Sequence, residues 1–162
     1  MSDSKKTNNE NSELLQLVSF KIGTEEFGVD ILNVQEIIKI VQITKVPNSP
    51  LFVEGVINLR GKVIPVIDLR TRLGLQKIEH DKDTRIIVVE LSKSTIGFIV
   101  DAVNEVLRIP ISITEAPPEI VAGVDSEFIR SVGKLDDRLL ILIDLNKILL
   151  QDEAKQIEKM NK

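Results

Sequence analysis

Apolar residues alternate with polar ones in short runs more often than they recur at a helical period. Residues 14–22 (LLQLVSFKI) predict a strand, residues 23–25 a turn, and residues 26–30 (EFGVD) a second strand, where Gly28 allows a bulge or close backbone approach. From Asp30 the period changes. Ile31, Val34, Ile37, Ile38 and Val41 follow helical spacing with Asp30 placed to cap, which predicts a short helix. Pro47 and Pro50 mark a turn. Residues 55–69 (GVINLRGKVIPVIDL) predict a β-hairpin, two β-branched runs around a turn of Asn58, Arg60, Gly61 and Lys62. Pro65 has no ladder donor, so its strand is expected at a sheet edge or bent at that point. Asp68 stands where a carboxylate caps a short helix over LRTRL. A charged loop over residues 76–83 leads to a further strand, RIIVVEL.

That last strand begins an internal repeat. At an offset of 69 residues, VSFKIGTEEFGVDILNVQEIIKI aligns with IVVELSKSTIGFIVDAVNEVLRI, placing Gly28 on Gly97 and Glu36 on Glu105. At an offset of 76, FVEGVINLRGKVIPVIDL aligns with FIRSVGKLDDRLLILIDL, placing Asp68 on Asp144. Each copy holds a few short strands and is too small to bury a core alone, which predicts two small β-barrels packed together. The first is expected over about residues 14–75 and the second over about 84–145, an arrangement that leaves room for strand or helix exchange. Residues 1–13 are polar and aperiodic and are expected to be disordered. Residues 145–162 predict a C-terminal helix with Leu145, Ile148, Leu149 and Ile157 toward the body.

Both copies meet similar folding constraints, so their differences indicate what folding does not require. Asp68 and Asp144 recur and are expected to be caps. The turn differs: Asn58-Leu59-Arg60-Gly61 becomes Lys134-Leu135-Asp136-Asp137. Arg60 is thus either a solvated turn residue or one chosen for a site in the first copy.

The 162 residues are 43% hydrophobic and 28% charged, with five Phe and no Trp, Tyr or Cys, so the core must be built from Ile, Val and Leu. The lack of Cys excludes disulfides and cysteine metal sites and suits a reducing compartment. No run reaches the ~18 to 20 apolar residues of a membrane span, and the first residues lack the apolar core of a signal peptide. A soluble, cytoplasmic protein is expected. Net charge is −4 and basic residues do not cluster, which argues against nucleic acid and for protein partners.

Reactive chemistry is sparse. His80, the single histidine, lies in the polar run EHDKD. A zinc site or a nucleophile–histidine pair has little to draw on, and no GxxxxGK[ST] or GxGxxG occurs. Glu25-Glu26, Asp81, Asp83 and Asp136-Asp137 are expected to be solvated turn and loop residues. Neither catalysis, nor a metal, nor a cofactor is expected.

The run FVEGVINLRGKVIPVIDLRTRLG, with NLRG followed by P-x-x-D-L, and then IGFIVDAVNEVLRI and DDRLLILIDLNKIL, resembles the bacterial CheW-like chemotaxis adaptors over about residues 14–150. With 162 residues, neither the rest of the kinase CheA nor the receiver domain of CheV is expected. The resemblance implies a mainly β fold of two packed SH3-like small β-barrels, with short helices and a C-terminal helix. It implies a non-enzymatic scaffold coupling the helical cytoplasmic tips of chemoreceptors to the regulatory domain of CheA. It places receptor contacts at Val34, Glu36, Gly55, Arg60 and Val106, with Asn58, Gly61 and Asp68 in support. Among these, Gly55 is suited to close approach of a backbone. Spacing alone leaves Val34 and Val106 as either core or groove residues. Two other readings stand beside this one: an adaptor of a different chemosensory kinase pathway, and a small-ligand binder or enzyme using a groove between the barrels.

Overall fold

The computed structural model describes residues 13–49, 53–91, 94–116 and 128–148. Residues 1–12 of the tail expected over residues 1–13, Pro50, and the part of the expected C-terminal helix beyond residue 148, including Leu149 and Ile157, lie outside the described residues. In chain order the elements are β1 (Leu14–Ile22), β2 (Glu25–Asp30), a 3-10 turn (Ile31–Asn33), β3 (Val34–Lys39), β4 (Val53–Leu59), β5 (Lys62–Asp68) and α1 (Leu69–Arg72). There follow β6 (Arg85–Leu91), β7 (Ser94–Val100), β8 (Ala102–Pro110), a second 3-10 turn (Ile111–Ile113), β9 (Thr114–Glu115), β10 (Ile129–Lys134), β11 (Leu139–Ile143) and α2 (Leu145–Ile148).

The strands form two sheets, one of six strands in the order β8-β1-β2-β11-β10-β9 and one of five in the order β3-β6-β7-β5-β4. Neither sheet comes from one half of the chain. The first hairpin of each copy, β1–β2 or β6–β7, is inserted among the later strands of the other copy, and each joins its host through a parallel pair, β2–β11 or β5–β7. A boundary at residues 75–84 therefore separates the copies in sequence but not the sheets in space. The exchange follows from burial: Phe20, Phe27 and Val29 from one inserted hairpin and Ile96, Phe98 and Val100 from the other meet in one inter-sheet core, which neither copy could assemble alone. Two smaller apolar clusters belong to single sheets, one around Ile57, Ile64 and Val88, the other around Leu17, Ile109 and Leu140.

Two local expectations are corrected. The helix predicted after Asp30 is a single 3-10 turn; Asp30 does cap it, accepting from the Leu32 N–H at 2.9 Å, but the chain then continues as β3. Burial along β3 alternates with a period of two, but Ile37 and then Val41 are apolar residues on the exposed side, so the apolar spacing imitates a helix while the residues pair with β6. Of the two alternatives for Pro65, the edge strand is the one that fails, because β5 sits between β4 and β7; the β4–β5 pairing does shift register beside it, between Val53 and Gly55. The residue opposite Pro65, Val56, spends both backbone groups on Thr44, at 2.9 and 2.8 Å, so Val56 and Pro65 form a non-hydrogen-bonded pair. The proline nitrogen then points toward β7, just before the first parallel pair, Val66 with Gly97, where no donor is missed.

Both predicted caps are present. Asp68 accepts from the Arg70 N–H at 3.0 Å, and Asp144 from the Asn146 N–H at 3.0 Å. Asp68 is buried, and that burial is the main force lifting its carboxyl above the usual range, against the lowering effect of the Arg70 hydrogen bond.

Candidate functional site

Glu36 lies on β3 and Arg60 in the β4–β5 turn, and their side chains form an ion pair. Strands β3 and β4 are the two ends of the five-stranded sheet, so the pair joins its opposite edges and shows the sheet curled on itself. Ile38 from β3 and Leu59 from β4 pack on the same interior cluster, as a curled sheet requires. The Arg60 side chain is 71% exposed and that of Glu36 28%, so solvent screens the contact and its contribution to stability is about 1 kcal/mol or less.

The turn is costly for its residues. Arg60 and Gly61 have φ of +53° and +86°, the signature of the two-residue turns that match strand twist. Glycine adopts this region freely, whereas an arginine there costs about 1–2 kcal/mol. Asn58 offsets part of that cost by accepting from the Gly61 N–H at 2.8 Å. Arg60 is thus a residue with a β-carbon held in a region that favours glycine, exposed and paired with a glutamate.

Val106 on β8 is 55% exposed and pairs with Val18 of the inter-sheet core, and Val34 is half-buried against that same core. Val34 thus packs on the inter-sheet core from the five-stranded sheet, while Val106 is an exposed apolar side chain on the six-stranded one. Gly55 is buried, and the backbone it admits is the chain's own: a β-carbon there would stand 2.6 Å from the Thr44 carbonyl oxygen and 2.7 Å from Ile43 Cγ2.

The sequence reading missed a second polar cluster. Glu26, expected to be a solvated turn residue, is 8% exposed. Its carboxylate accepts from the buried Ser19 hydroxyl and, at 2.6 Å, from Arg138 Nε, while Arg138 also reaches Asp137 at 2.9 Å and Glu105 at 3.6 Å. The available signal was the alignment of Glu105 with Glu36, since each links the third strand of its copy to the last hairpin of that copy. A cleft of about 540 Å³ opens over this cluster, lined by Lys21, Glu25 and Asn104 among others. All its lining residues belong to the six-stranded sheet and its turns, so it is not a groove between the sheets. Among the described residues no group of three or more His, Cys, Asp or Glu could hold a metal ion, and no helix is long and apolar enough to cross a membrane.

Burial raises the Glu26 pKa, but the hydrogen bonds from Ser19 and Arg138 outweigh it and leave the carboxyl below its ordinary value. A depressed folded-state pKa contributes stability above the ordinary glutamate range, lost as pH falls through the depressed value. Denaturant melts from pH 7 down to pH 3 should therefore show a loss of stability with acid that is shallower in Glu26→Gln. Equal slopes in the two proteins would show that Glu26 keeps its ordinary pKa.

Comparison with known proteins places these features in a family. The CheW-like domain matches residues 16–153. The chemotaxis protein CheW of Klebsiella aerogenes is 36% identical over 147 residues, covering 91% of this chain and 89% of that protein. That of Helicobacter pylori is 39% identical over 143 residues, covering 88% and 86%. Among solved structures, the scaffolding protein TtCheW from Thermoanaerobacter tengcongensis superposes with a TM-score of 0.78 at 43% identity, over 86% of this chain and 90% of that one.

Proposed function

The chain belongs to the CheW-like domain family, and from that premise we propose that this chemotaxis scaffold works without catalysis, coupling the helical cytoplasmic tips of chemoreceptors to the regulatory domain of the kinase CheA. Its place is the cytoplasm, at receptor arrays it joins through its partners. The observation that carries the receptor contact is Arg60, exposed, held at positive φ and oriented by Glu36. Val34 and Val106 supply the apolar side of the same contact, suited to the ridge of a helix. Glu36 positions Arg60; Asn58 and Gly61 support its turn, and Asp68 the end of its hairpin. Gly55 contributes by admitting the Thr44 backbone beside that hairpin.

An adaptor needs faces that can be occupied together, since only then does one partner raise the effective concentration of the other. Calorimetric titration with the regulatory domain of the cognate CheA, repeated in the presence of a receptor-tip fragment, tests this directly. Saturable kinase binding that persists when receptor is bound is the expected result. Loss of kinase binding on adding receptor would mean a shared face and would overturn the coupling mechanism.

A further inference from the structure

Leu32 is 88% exposed, more than any other large apolar side chain described. Its backbone is nonetheless well held: its N–H donates to Asp30 Oδ1, and the Val34 N–H closes the 3-10 turn on the Ile31 carbonyl. A held backbone thus projects a leucine into solvent.

The internal repeat provides a control for what folding asks of this position. At the offset of 69, Leu32 falls on Asp101. Asp101 plays a structural part, accepting from the Gly23 N–H at 2.7 Å and from Arg70 Nε and Nη2 at 3.0 and 2.9 Å, and so clamping α1 to the β1–β2 turn. The residue corresponding to Arg70 is Asn146, so the first copy has no such clamp to complete. The leucine is therefore released from the role its counterpart performs.

Position supplies the occupant. Leu17 on β1 pairs with Asp30 on one side and with Leu107 on the other. The turn bearing Leu32 thus starts two strand spacings, about 10 Å, from the strand that presents Val106. Two turns of an α-helix span about 11 Å, so one helix can touch both with side chains seven residues apart. Val34, two residues beyond Leu32, is half-buried against the inter-sheet core.

We propose that Leu32 is a further anchor for the apolar ridge of a receptor-tip helix, extending the contact made by Val34 and Val106. This rests on the receptor reading given above. Full-length protein carrying Leu32→Glu or Leu32→Met is titrated with the receptor-tip fragment and, separately, with the CheA regulatory domain. For Leu32→Glu the affinity for the receptor tip should fall roughly tenfold or more, as expected for losing a buried leucine. Its thermal midpoint and kinase affinity should match the unsubstituted protein, and Leu32→Met should keep receptor binding. Receptor affinity unchanged in Leu32→Glu, while Arg60→Glu loses it, overturns this inference and leaves the receptor reading standing. Failure of the unsubstituted protein to bind the receptor tip overturns both. A loss of kinase binding, or of self-association in sedimentation, in place of receptor binding would assign Leu32 to another partner and overturn the proposal.

Discussion

Arg60→Glu is expected to weaken binding to a receptor tip by roughly thirtyfold, the scale of a hot-spot arginine, while leaving the fold intact. The substitution sets a second carboxylate beside Glu36 and removes the cation at the exposed end of the turn. Stability should change by about 1 kcal/mol or less, because the lost pair is largely solvated. Circular dichroism and thermal melting would check the second statement, and titration with the receptor tip the first. The double exchange Glu36→Arg with Arg60→Glu separates two roles. It restores an ion pair, so recovery of binding would mean that the pair acts only by holding the hairpin to β3. Continued loss would mean that the partner reads the guanidinium itself. Binding within twofold of the unsubstituted protein in the single variant would remove Arg60 from the interface.

Gly55→Val should produce the largest loss of stability among the site positions, about 3 kcal/mol, from overpacking together with two broken backbone hydrogen bonds. A β-carbon at residue 55 meets the Thr44 carbonyl oxygen at 2.6 Å, and a backbone atom cannot swing aside as a flexible side chain would. Thr44 is also tied to Val56 by hydrogen bonds of 2.9 and 2.8 Å, so relief of the clash breaks the bridge that covers the β4 edge. The thermal midpoint is expected to drop by roughly 10 °C. A midpoint within about 1 °C of the unsubstituted protein would show that the Thr44 segment yields without cost, contrary to the packing described.

These two positions differ in how far the sequence alone reveals them. The turn is legible because its chemistry is local: Asn58, Arg60 and Gly61 lie within four residues, and the contrast with Asp136-Asp137 marks Arg60 as particular to one copy. The caps at Asp68 and Asp144 are legible for the same reason. Gly55 reads as a site of close backbone approach, but not that the approaching strand is the chain's own, since Thr44 is brought there by the folding of the segment after β3. Glu26 reads wrongly as a solvated turn residue because its burial depends on Ser19 in β1 and on Arg138, more than a hundred residues later.

Local pattern and repetition along the chain were enough to establish a β protein of two related halves, its turns and caps, and the hairpin that carries Arg60. They sufficed because hydrophobic alternation, turn chemistry and capping act over a few residues. Which half supplies which strand was settled in three dimensions. The β1–β2 and β6–β7 hairpins change places because the apolar faces of both copies are buried only when combined, and the energy of that burial is a property of the assembled core. The same assembly made a strand of Val34–Lys39 despite its helical spacing, since pairing with β6 satisfies backbone groups that a lone helix on this edge would leave exposed on the strand.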